Sequence, residues 1–430
     1  MAEKDVLKIG MLGLGTVGSG VLQILTQNGE EIRQKLGTRL EVKRIAVRDT
    51  KKLRPVTVDP ELLTDQADHV IDDPEIDIIV EVMGGVDGAR AAITRALENG
   101  KYVVTANKDL MAQHGVELLA IAKNQGKNIY YEASVGGGIP LVRPLKQCLA
   151  ANRILKLMGI INGTTNYILT QMSCAGKEFS EALAEAQAQG FAEADPSSDV
   201  EGRDASYKLA ILASLAFSSK IEMSDIYVEG ISDVKLRDIR YAQELGYAVK
   251  LLAVGEEGSD GLKLRVHPTL IPLKHPLASV ANEFNAIFLE GDAVGEVMFF
   301  GRGAGSLPTG SAICADIIEA ARSIKHQVEN GIVEATFVTK RVVPFVNQSS
   351  RFYLRLKVKD EPGVFAKLAT AFGDARVSLD MIIQKRSDAE TAEIVLVTHG
   401  VGEGNFAVAI AALKEMDAVR SINSILRVIE

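Results

Sequence analysis

The sequence predicts an α/β protein in three parts: an N-terminal doubly wound parallel sheet, an α+β middle region and a C-terminal βαββαβ module. Three observations carry that expectation. A glycine-rich turn, Gly13-Leu14-Gly15-Thr16-Val17-Gly18, separates a buried strand from a helix at the start of the chain. Apolar strands and amphipathic helices then alternate as far as residue 130. Residues 351–430 instead read strand, helix, strand, strand, helix, strand.

The elements follow in order. Leu7–Leu12 is a short apolar run, and a helical pattern continues through Val21, Leu22, Leu25 and Ile32. Leu40–Val47 alternates like a strand, and Ile76–Val82 and Tyr102–Ala106 read as buried strands. Helices are expected at Ala89–Asn99 and Leu110–Asn124. Helices on both faces of a parallel sheet follow from this alternation, which makes residues 1–130 a nucleotide-binding, Rossmann-like domain. After Glu132 the texture changes. Ala133-Ser134-Val135-Gly136-Gly137-Gly138-Ile139-Pro140 is turn-rich and leads into a helix with that Pro on its N-terminal side. Residues 131–304 mix strands (Ile154–Ile161, Leu262–Val266, Ala286–Leu289) with helices (Phe179–Gln189, Asp204–Phe217), an α+β domain. The helix Ala312–His326, within 305–330, is expected to pack back on the nucleotide domain. Residues 331–350 read as a linker. Strands at Arg351–Val358, Ser378–Lys385, Ala392–Thr398 and Ser421–Val428, with helices at Gly363–Phe372 and Asn405–Met416, make 351–430 ferredoxin-like.

Composition narrows the function. A net charge of −8 argues against a general nucleic-acid binder, since a phosphate backbone needs a basic surface. No apolar run reaches the ~18 residues that cross a bilayer, and the charged start carries no signal segment, so a cytoplasmic protein with no membrane partner is expected. Cys148, Cys174 and Cys314 are far apart and form no Cys-x-x-Cys pair, which fits a reducing compartment without a zinc or disulfide framework. None of the six histidines sits at metal-ligand spacing, and His267 and His275, in a Pro-rich stretch, read as structural. Proton chemistry is left to lysines and carboxylates.

The glycine turn has a physical logic. Gly13 permits the tight turn, Gly15 lets backbone approach a pyrophosphate, and Gly18 lets helix pack on strand, while the helix N-terminus at Thr16 and Val17 offers N–H groups to the anion. The second strand ends Val47-Arg48-Asp49, with Lys51 and Lys52 behind it. A basic residue there suits a 2′-phosphate and tips the choice to NADP; Asp49 keeps NAD open.

The densest ionisable stretch is Gly190-Phe191-x-Glu193-x-Asp195-Pro196-x-x-Asp199-Val200-x-Gly202-x-Asp204-x-x-x-Lys208. Asp204 and Lys208, four apart, share a helical face. An ordinary surface ion pair is the bland alternative. Against it, Glu193, Asp195 and Asp199 lie in a Pro- and Gly-bearing loop, where site residues gather.

Residue by residue this stretch resembles the diagnostic segment of the homoserine dehydrogenases. Thr105-Ala106-Asn107-Lys108, Glu132–Pro140, Asn162-Gly163-Thr164-Thr165-Asn166 and Gly301-Arg302-Gly303-Ala304-Gly305 agree with the same family, so the resemblance covers residues 8–325. It implies NAD(P)-dependent interconversion of L-aspartate 4-semialdehyde and L-homoserine, in threonine, methionine and isoleucine biosynthesis. Lys208 would carry the proton, Lys108 would bind substrate or share that task, and Glu193, Asp199 and Asp204 would hold or order the substrate. Lys108, Gly190 and Gly305 would lie near the cofactor. The turn at 132–140 resembles the family's sodium site, with Glu132 (carboxylate or main chain) and the carbonyls of Val135, Gly137 and Ile139 as ligands. Oxygen-only ligation suits a hard cation. The C-terminal region resembles an ACT domain, with Asp360, Gly363 and Val364 at the effector loop and L-threonine the natural effector. The resemblance makes residues 131–304 the catalytic and dimerisation domain, and with only a short lead before the glycine turn a monofunctional form and a homodimer or homotetramer are expected. A semialdehyde dehydrogenase with a cysteine nucleophile is disfavoured by the cysteine contexts. A non-catalytic sensor of Rossmann plus ACT architecture would not need Glu193, Asp204 and Lys208 together.

Overall fold

The computed structural model describes residues 5–326, 337–386 and 390–429. The N-terminal stretch runs β1 (Val6–Leu12), α1 (Thr16–Gln27), α2 (Gly29–Leu36), β2 (Arg39–Ala46), β3 (Leu63–Thr64), α3 (Asp68–Ile71), β4 (Ile78–Glu81), α4 (Asp87–Glu98), β5 (Tyr102–Thr105), α5 (Lys108–Asn124) and β6 (Ile129–Tyr130). Next come β7 (Ile154–Ile160), α6 (Gly163–Ala175), α7 (Phe179–Ala188), α8 (Ser197–Val200) and α9 (Arg203–Ala216). The middle closes with β8 (Tyr227–Val228), α10 (Leu236–Glu244), β9 (Tyr247–Gly258), β10 (Gly261–Pro272), β11 (Phe284–Gly291), β12 (Gly295–Arg302) and α11 (Ser306–Lys325). Last are β13 (Ser349–Lys359), α12 (Val364–Asp374), β14 (Leu379–Arg386), β15 (Thr391–Thr398), β16 (Val401–Gly402), α13 (Glu403–Lys414) and β17 (Val419–Val428). Two compact units emerge: residues 1–154, 207–223 and 290–339, and residues 155–206, 224–289 and 340–430. Among the described residues no helix is long and apolar enough to cross a membrane.

In the first unit a six-stranded parallel sheet has the order β3-β2-β1-β4-β5-β6, the doubly wound arrangement with its switch point between β1 and β4. β4 and β5 are buried along their whole length, as strands covered on both faces must be. Helix α11 joins this core: Ile313 and Ile317 are fully buried alongside Ile9 and Val21. Glycines set its crossing with α1, since a Cβ on Gly310 would lie 2.8 Å from the Gly20 carbonyl carbon.

The chain becomes helical from Val142, two residues after Pro140. It passes into a π-helical turn, Pro144–Cys148, closed by the Leu149 N–H donating to the Pro144 carbonyl at 2.8 Å. The buried Glu132 carboxylate caps its start, accepting the N–H groups of Leu141, Val142 and Arg143 at 2.5–2.8 Å.

In the second unit one sheet runs β11-β7-β9-β10-β17-β13-β15-β14, with β8 beside β10 and β16 beside β13. Its spine is the antiparallel β9–β10 hairpin, paired from Gly258/Gly261 to Tyr247/Pro272. The sequence reading recovers only Leu262–Val266 of it. The run Leu251–Val254, behind Lys250, is continuously apolar, a pattern that does not separate strand from helix, and Pro268 and Pro272 suggest loop where the strand continues. The C-terminal module has strand order β17-β13-β15-β14, the ferredoxin-like arrangement, with α12 and α13 packed on its core. Its β17 also pairs in parallel with β10, through Thr269/Arg427 and Leu270/Val428. The module is therefore continuous with the sheet of residues 155–289. Of the connecting stretch, 327–336 lies outside the described residues, while Val342 bridges to Leu262 and Phe345–Asn347 forms a 3-10 turn.

Candidate active site

The glycine turn adopts the geometry its spacing demands. Gly13 has φ +106°, donates its N–H to the Ala46 carbonyl at 2.9 Å, and has no room for a side chain, since a Cβ would sit 2.6 Å from the Val82 oxygen. Gly15 caps α1 and faces open space, and Gly18 fits with its would-be Cβ 2.8 Å from the Gly13 oxygen. Thr16 and Val17 form the first turn of α1, whose leading N–H groups have no acceptor within the helix. A cleft of about 760 Å³ at the carboxyl ends of the strands is lined by Gly13, Gly15, Arg48, Asp49, Lys52 and Arg54. Arg54 was not singled out in the sequence, although it closes the same Lys51-Lys52-Leu53-Arg54 run. It donates to the carbonyls of Asp49 and Lys52, and its buried Nε finds no partner among the described residues. A cradle without Cβ atoms and a helix N-terminus fit the pyrophosphate of a nicotinamide dinucleotide.

The cleft floor rests on a residue that sequence reasoning missed. Glu81 is fully buried at the end of β4 and accepts hydrogen bonds from the N–H groups of Met83 and Gly84 and from the Thr105 hydroxyl, the last at 2.7 Å. Asn107 caps α5 through the Leu110 N–H and donates to the Gly85 carbonyl at 2.6 Å. Thr105 and Asn107 thus build the loops, and Lys108 follows at the first position of α5, partly exposed, its ammonium 3.9 Å from the Asp109 carboxylate.

The two glycine-rich turns of this unit meet. A Cβ on Gly137 (φ +55°) would lie 2.5 Å from the Gly303 carbonyl carbon, and the Gly138 N–H donates to the Arg302 carbonyl at 3.1 Å. Gly305, with φ +123°, caps α11, and the Ser306 hydroxyl donates to the Thr16 carbonyl at 2.7 Å. Within the 132–139 turn the Gly136 carbonyl is taken by the Ile139 N–H. Among the described residues no hydrogen bond reaches the carbonyls of Val135, Gly137 and Ile139. Asp316, also absent from the sequence reading, anchors the turn from α11 by accepting the Glu132 N–H and an Arg143 N–H, both at 2.8 Å. Burial, with the Glu132 charge nearby, pushes its carboxyl up to about 7 against the pull of Arg143.

In the second unit the diagnostic stretch forms two short turns. Gly190 (φ +76°) ends α7, and Phe191 is pinned to α6 by its carbonyl, which accepts the Thr164 hydroxyl at 2.6 Å. Glu193 is exposed in the following loop. Asn162 then draws two acids together, its amide donating to Asp199 at 2.7 Å and to Asp204 at 2.8 Å. Asn162 itself is fixed as the N-cap of α6, its oxygen accepting the Thr165 N–H at 2.8 Å. So Asp199 and Asp204 are assembled, whereas Glu193 stands outside that hydrogen-bonded group. Lys208 lies one turn beyond Asp204 on α9, in the part of that helix that belongs to the first unit. At the far end of the second unit, Gly363 (φ +86°) caps α12 ahead of Val364, and the Asp360 N–H donates to the Glu390 carbonyl at 2.9 Å.

Comparison with known proteins agrees with this geometry. Residues 13–132 match the family model for the homoserine dehydrogenase NAD-binding domain, residues 140–318 that for homoserine dehydrogenase, and residues 352–418 that for the ACT domain. The homoserine dehydrogenase of Bacillus subtilis is 43% identical over 428 residues, covering 98% of each chain. That of Synechocystis is 44% identical over 432 residues, covering 98% of this chain and 99% of its own. The crystal structure of a homoserine dehydrogenase from Thiobacillus denitrificans superposes with a TM-score of 0.93 at 40% identity, covering 100% of both chains. A hyperthermophilic archaeal homoserine dehydrogenase in complex with NADPH superposes at 0.63 and 28% identity over 73% of this chain and 97% of its own. A cofactor cleft, a pair of amide-held acids and full-length kinship thus converge: the chain belongs to the homoserine dehydrogenases, NAD(P)-dependent oxidoreductases, with an ACT domain at its C-terminal side.

Proposed function

We propose that the chain interconverts L-aspartate 4-semialdehyde and L-homoserine with NADP as preferred nucleotide, in the cytoplasmic route to threonine, methionine and isoleucine. The carrying observation is the Asn162 bridge, which holds Asp199 and Asp204 together at the start of the helix that bears Lys208. Bound nucleotide supplies the hydride exchanged with the substrate's carbonyl carbon. Lys208, as an ammonium, donates the proton to the carbonyl oxygen during reduction and, as an amine, accepts it during oxidation. Asp204 and Glu193 bind the substrate's ammonium and hydroxyl, and Asp199 orders the turn through Asn162. Lys108, at the cofactor side, orients substrate. Arg48, Lys52 and Arg54 favour the 2′-phosphate over the ribose hydroxyl that Asp49 would bind. Gly190 and Gly305 contribute cofactor-facing backbone.

A sodium ion fits the 132–139 turn through main-chain oxygens of Glu132, Val135, Gly137 and Ile139; the Glu132 carboxylate is already committed to three N–H groups. Held there, it would brace the two glycine turns against each other. Asp360, Gly363 and Val364 are the effector loop of the ACT domain, with L-threonine as the inhibitor, and the working assembly is a homodimer or homotetramer.

The deciding assay is L-homoserine oxidation with NADP and NAD in parallel, with and without L-threonine. Faster turnover with NADP and inhibition by threonine are expected. Lys208→Ala should lower kcat by about 10²–10⁴, the range for losing a general acid–base group, with nucleotide affinity retained. Normal turnover in that variant, with loss in Lys108→Ala, overturns the assignment.

A further inference from the structure

Arg427, near the end of β17, is only 7% exposed, and its guanidinium is bound from two directions. Nε and Nη2 donate to the two carboxylate oxygens of Glu403, on the first turn of α13, at 3.0 and 3.1 Å. Nη1 donates to Glu229 Oε2 at 2.5 Å. The Tyr227 hydroxyl donates to the same Glu229 oxygen at 3.0 Å, and the Tyr227 ring stacks on Phe345 with centroids 3.5 Å apart. Strand register explains the meeting. β8 pairs with β10 at residues 265–266 and β17 pairs with it at 269–270, so one strand carries both partners.

From Glu229 the chain runs straight to the substrate turn. Gly230 packs on that turn so closely that a Cβ would lie 2.5 Å from the Glu201 Cα and nearer still to the Val200 oxygen. The Ile231 N–H donates to the Val200 carbonyl at 2.8 Å. A Cβ on Gly202 would sit 3.2 Å from Val228 and 3.4 Å from the Glu229 oxygen. Residues 227–231 are therefore the backing against which Val200–Gly202 rest, and those residues lie between Asp199 and Asp204.

We infer that Arg427 is a positioning residue for the substrate turn, acting through Glu229 and Gly230. The α13 end of the ACT domain thereby becomes a control point for substrate affinity. The physical reason is tight backbone-on-backbone packing: a shift of 227–231 has no flexible side chain to absorb it and passes into Val200–Gly202. The inference rests on the assignment of Asp204 to the amino-acid substrate and of Asp199 to ordering the turn that presents it.

The test uses the full chain with Glu229→Ala, which cuts the arm to the turn and leaves the Arg427–Glu403 pairing in the module. Hydrogen exchange across residues 199–204 and the KM values for L-homoserine and NADP are measured together. Exchange at least about fivefold faster and a homoserine KM raised about fivefold are expected, with kcat and the NADP KM within about twofold. Glu229→Gln, which keeps an acceptor oxygen, should restore both in part. A purely structural role would lower Tm and the active fraction and leave the homoserine KM alone. Exchange at the parent rate in folded Glu229→Ala, or an equal rise in both KM values, overturns the inference. Faster exchange with an unchanged homoserine KM keeps the mechanical link and removes the substrate role of Asp204.

Discussion

Lys250, on β9, is buried with its ammonium donating to the Asn166 side-chain oxygen at 3.1 Å and the Val280 carbonyl at 2.5 Å. Both acceptors are neutral, so desolvation dominates and pushes the amine down to about 8. The sign follows from linkage. Between about 8 and the ordinary 10.5 the unfolded chain binds the extra proton and the folded chain does not, so stability rises with pH across that window. Relative to Lys250→Met, the parent should gain roughly 3 kcal/mol from pH 7 to above 10.5, an order-of-magnitude figure. Chemical denaturation at both pH values reads it, and parallel stability curves would contradict it. At this scale the sequence was legible where residues form a local motif. Asp199, Asp204 and Lys208 stand within ten positions, and Gly13 and Gly18 declare a turn. It was silent where a side chain meets a partner far along the chain. Glu81 meets Thr105, Asn162 meets Asp199, and Asp316 meets Glu132, and only folding supplies those pairs.

Helices α1 and α11 touch backbone to backbone, with Gly20 against Ser306 and Gly310 against Gly20. Gly310→Ala has no flexible neighbour to displace and should cost about 1–3 kcal/mol, the range for overpacking, read as a lower Tm. An unchanged Tm would mean that the helices separate freely. The second unit ties α10 to the ACT sheet with charge. Arg355 is buried, donates to both oxygens of Asp238 at 2.6 and 3.1 Å, and reaches Glu393 at 3.1 Å, while the Tyr353 hydroxyl donates to Asp238 at 3.0 Å. Arg355→Met leaves the buried Asp238 carboxylate without its cation, while Glu393 keeps Arg237 at 2.9 Å, and should destabilise by about 3–5 kcal/mol. Replacing Asp238, Arg355 and Glu393 together by apolar residues should recover most of that loss, and failure to recover would assign the cost to packing instead. Elements of strict period were readable: the βαββαβ order of the module and the parallel strands around the glycine turn. β9 was not, because its central stretch Leu251–Val254 is apolar at every position and carries no phase.

Across the whole molecule the ACT domain is not an appendage. β17 lies inside the sheet between β10 and β13, and Arg427 reaches Glu229 from it. A chain ended after Thr339 would leave the Thr269–Leu270 edge unpaired and Glu229 without its cation. Its soluble yield should fall and its light scattering rise relative to the full chain, since an uncovered edge strand templates association. A monodisperse, fully active truncation would show that the shared sheet is dispensable. The sequence suggested a self-contained module because its internal pattern closes on itself, and an added parallel pairing of two residues leaves no periodic trace.

That shared strand also orders events in time. The β9–β10 hairpin closes through a two-residue turn and needs only its neighbours, so it can form within microseconds. Leu270 must then wait for Val428, with the intervening residues 273–418 to be organised before loop-closure entropy is repaid. In that interval β10 has an open edge in a part-folded chain. The partition between folding and aggregation is therefore set by how quickly the C-terminal strand arrives, and an activity housed far upstream inherits its folding yield from residues 419–428.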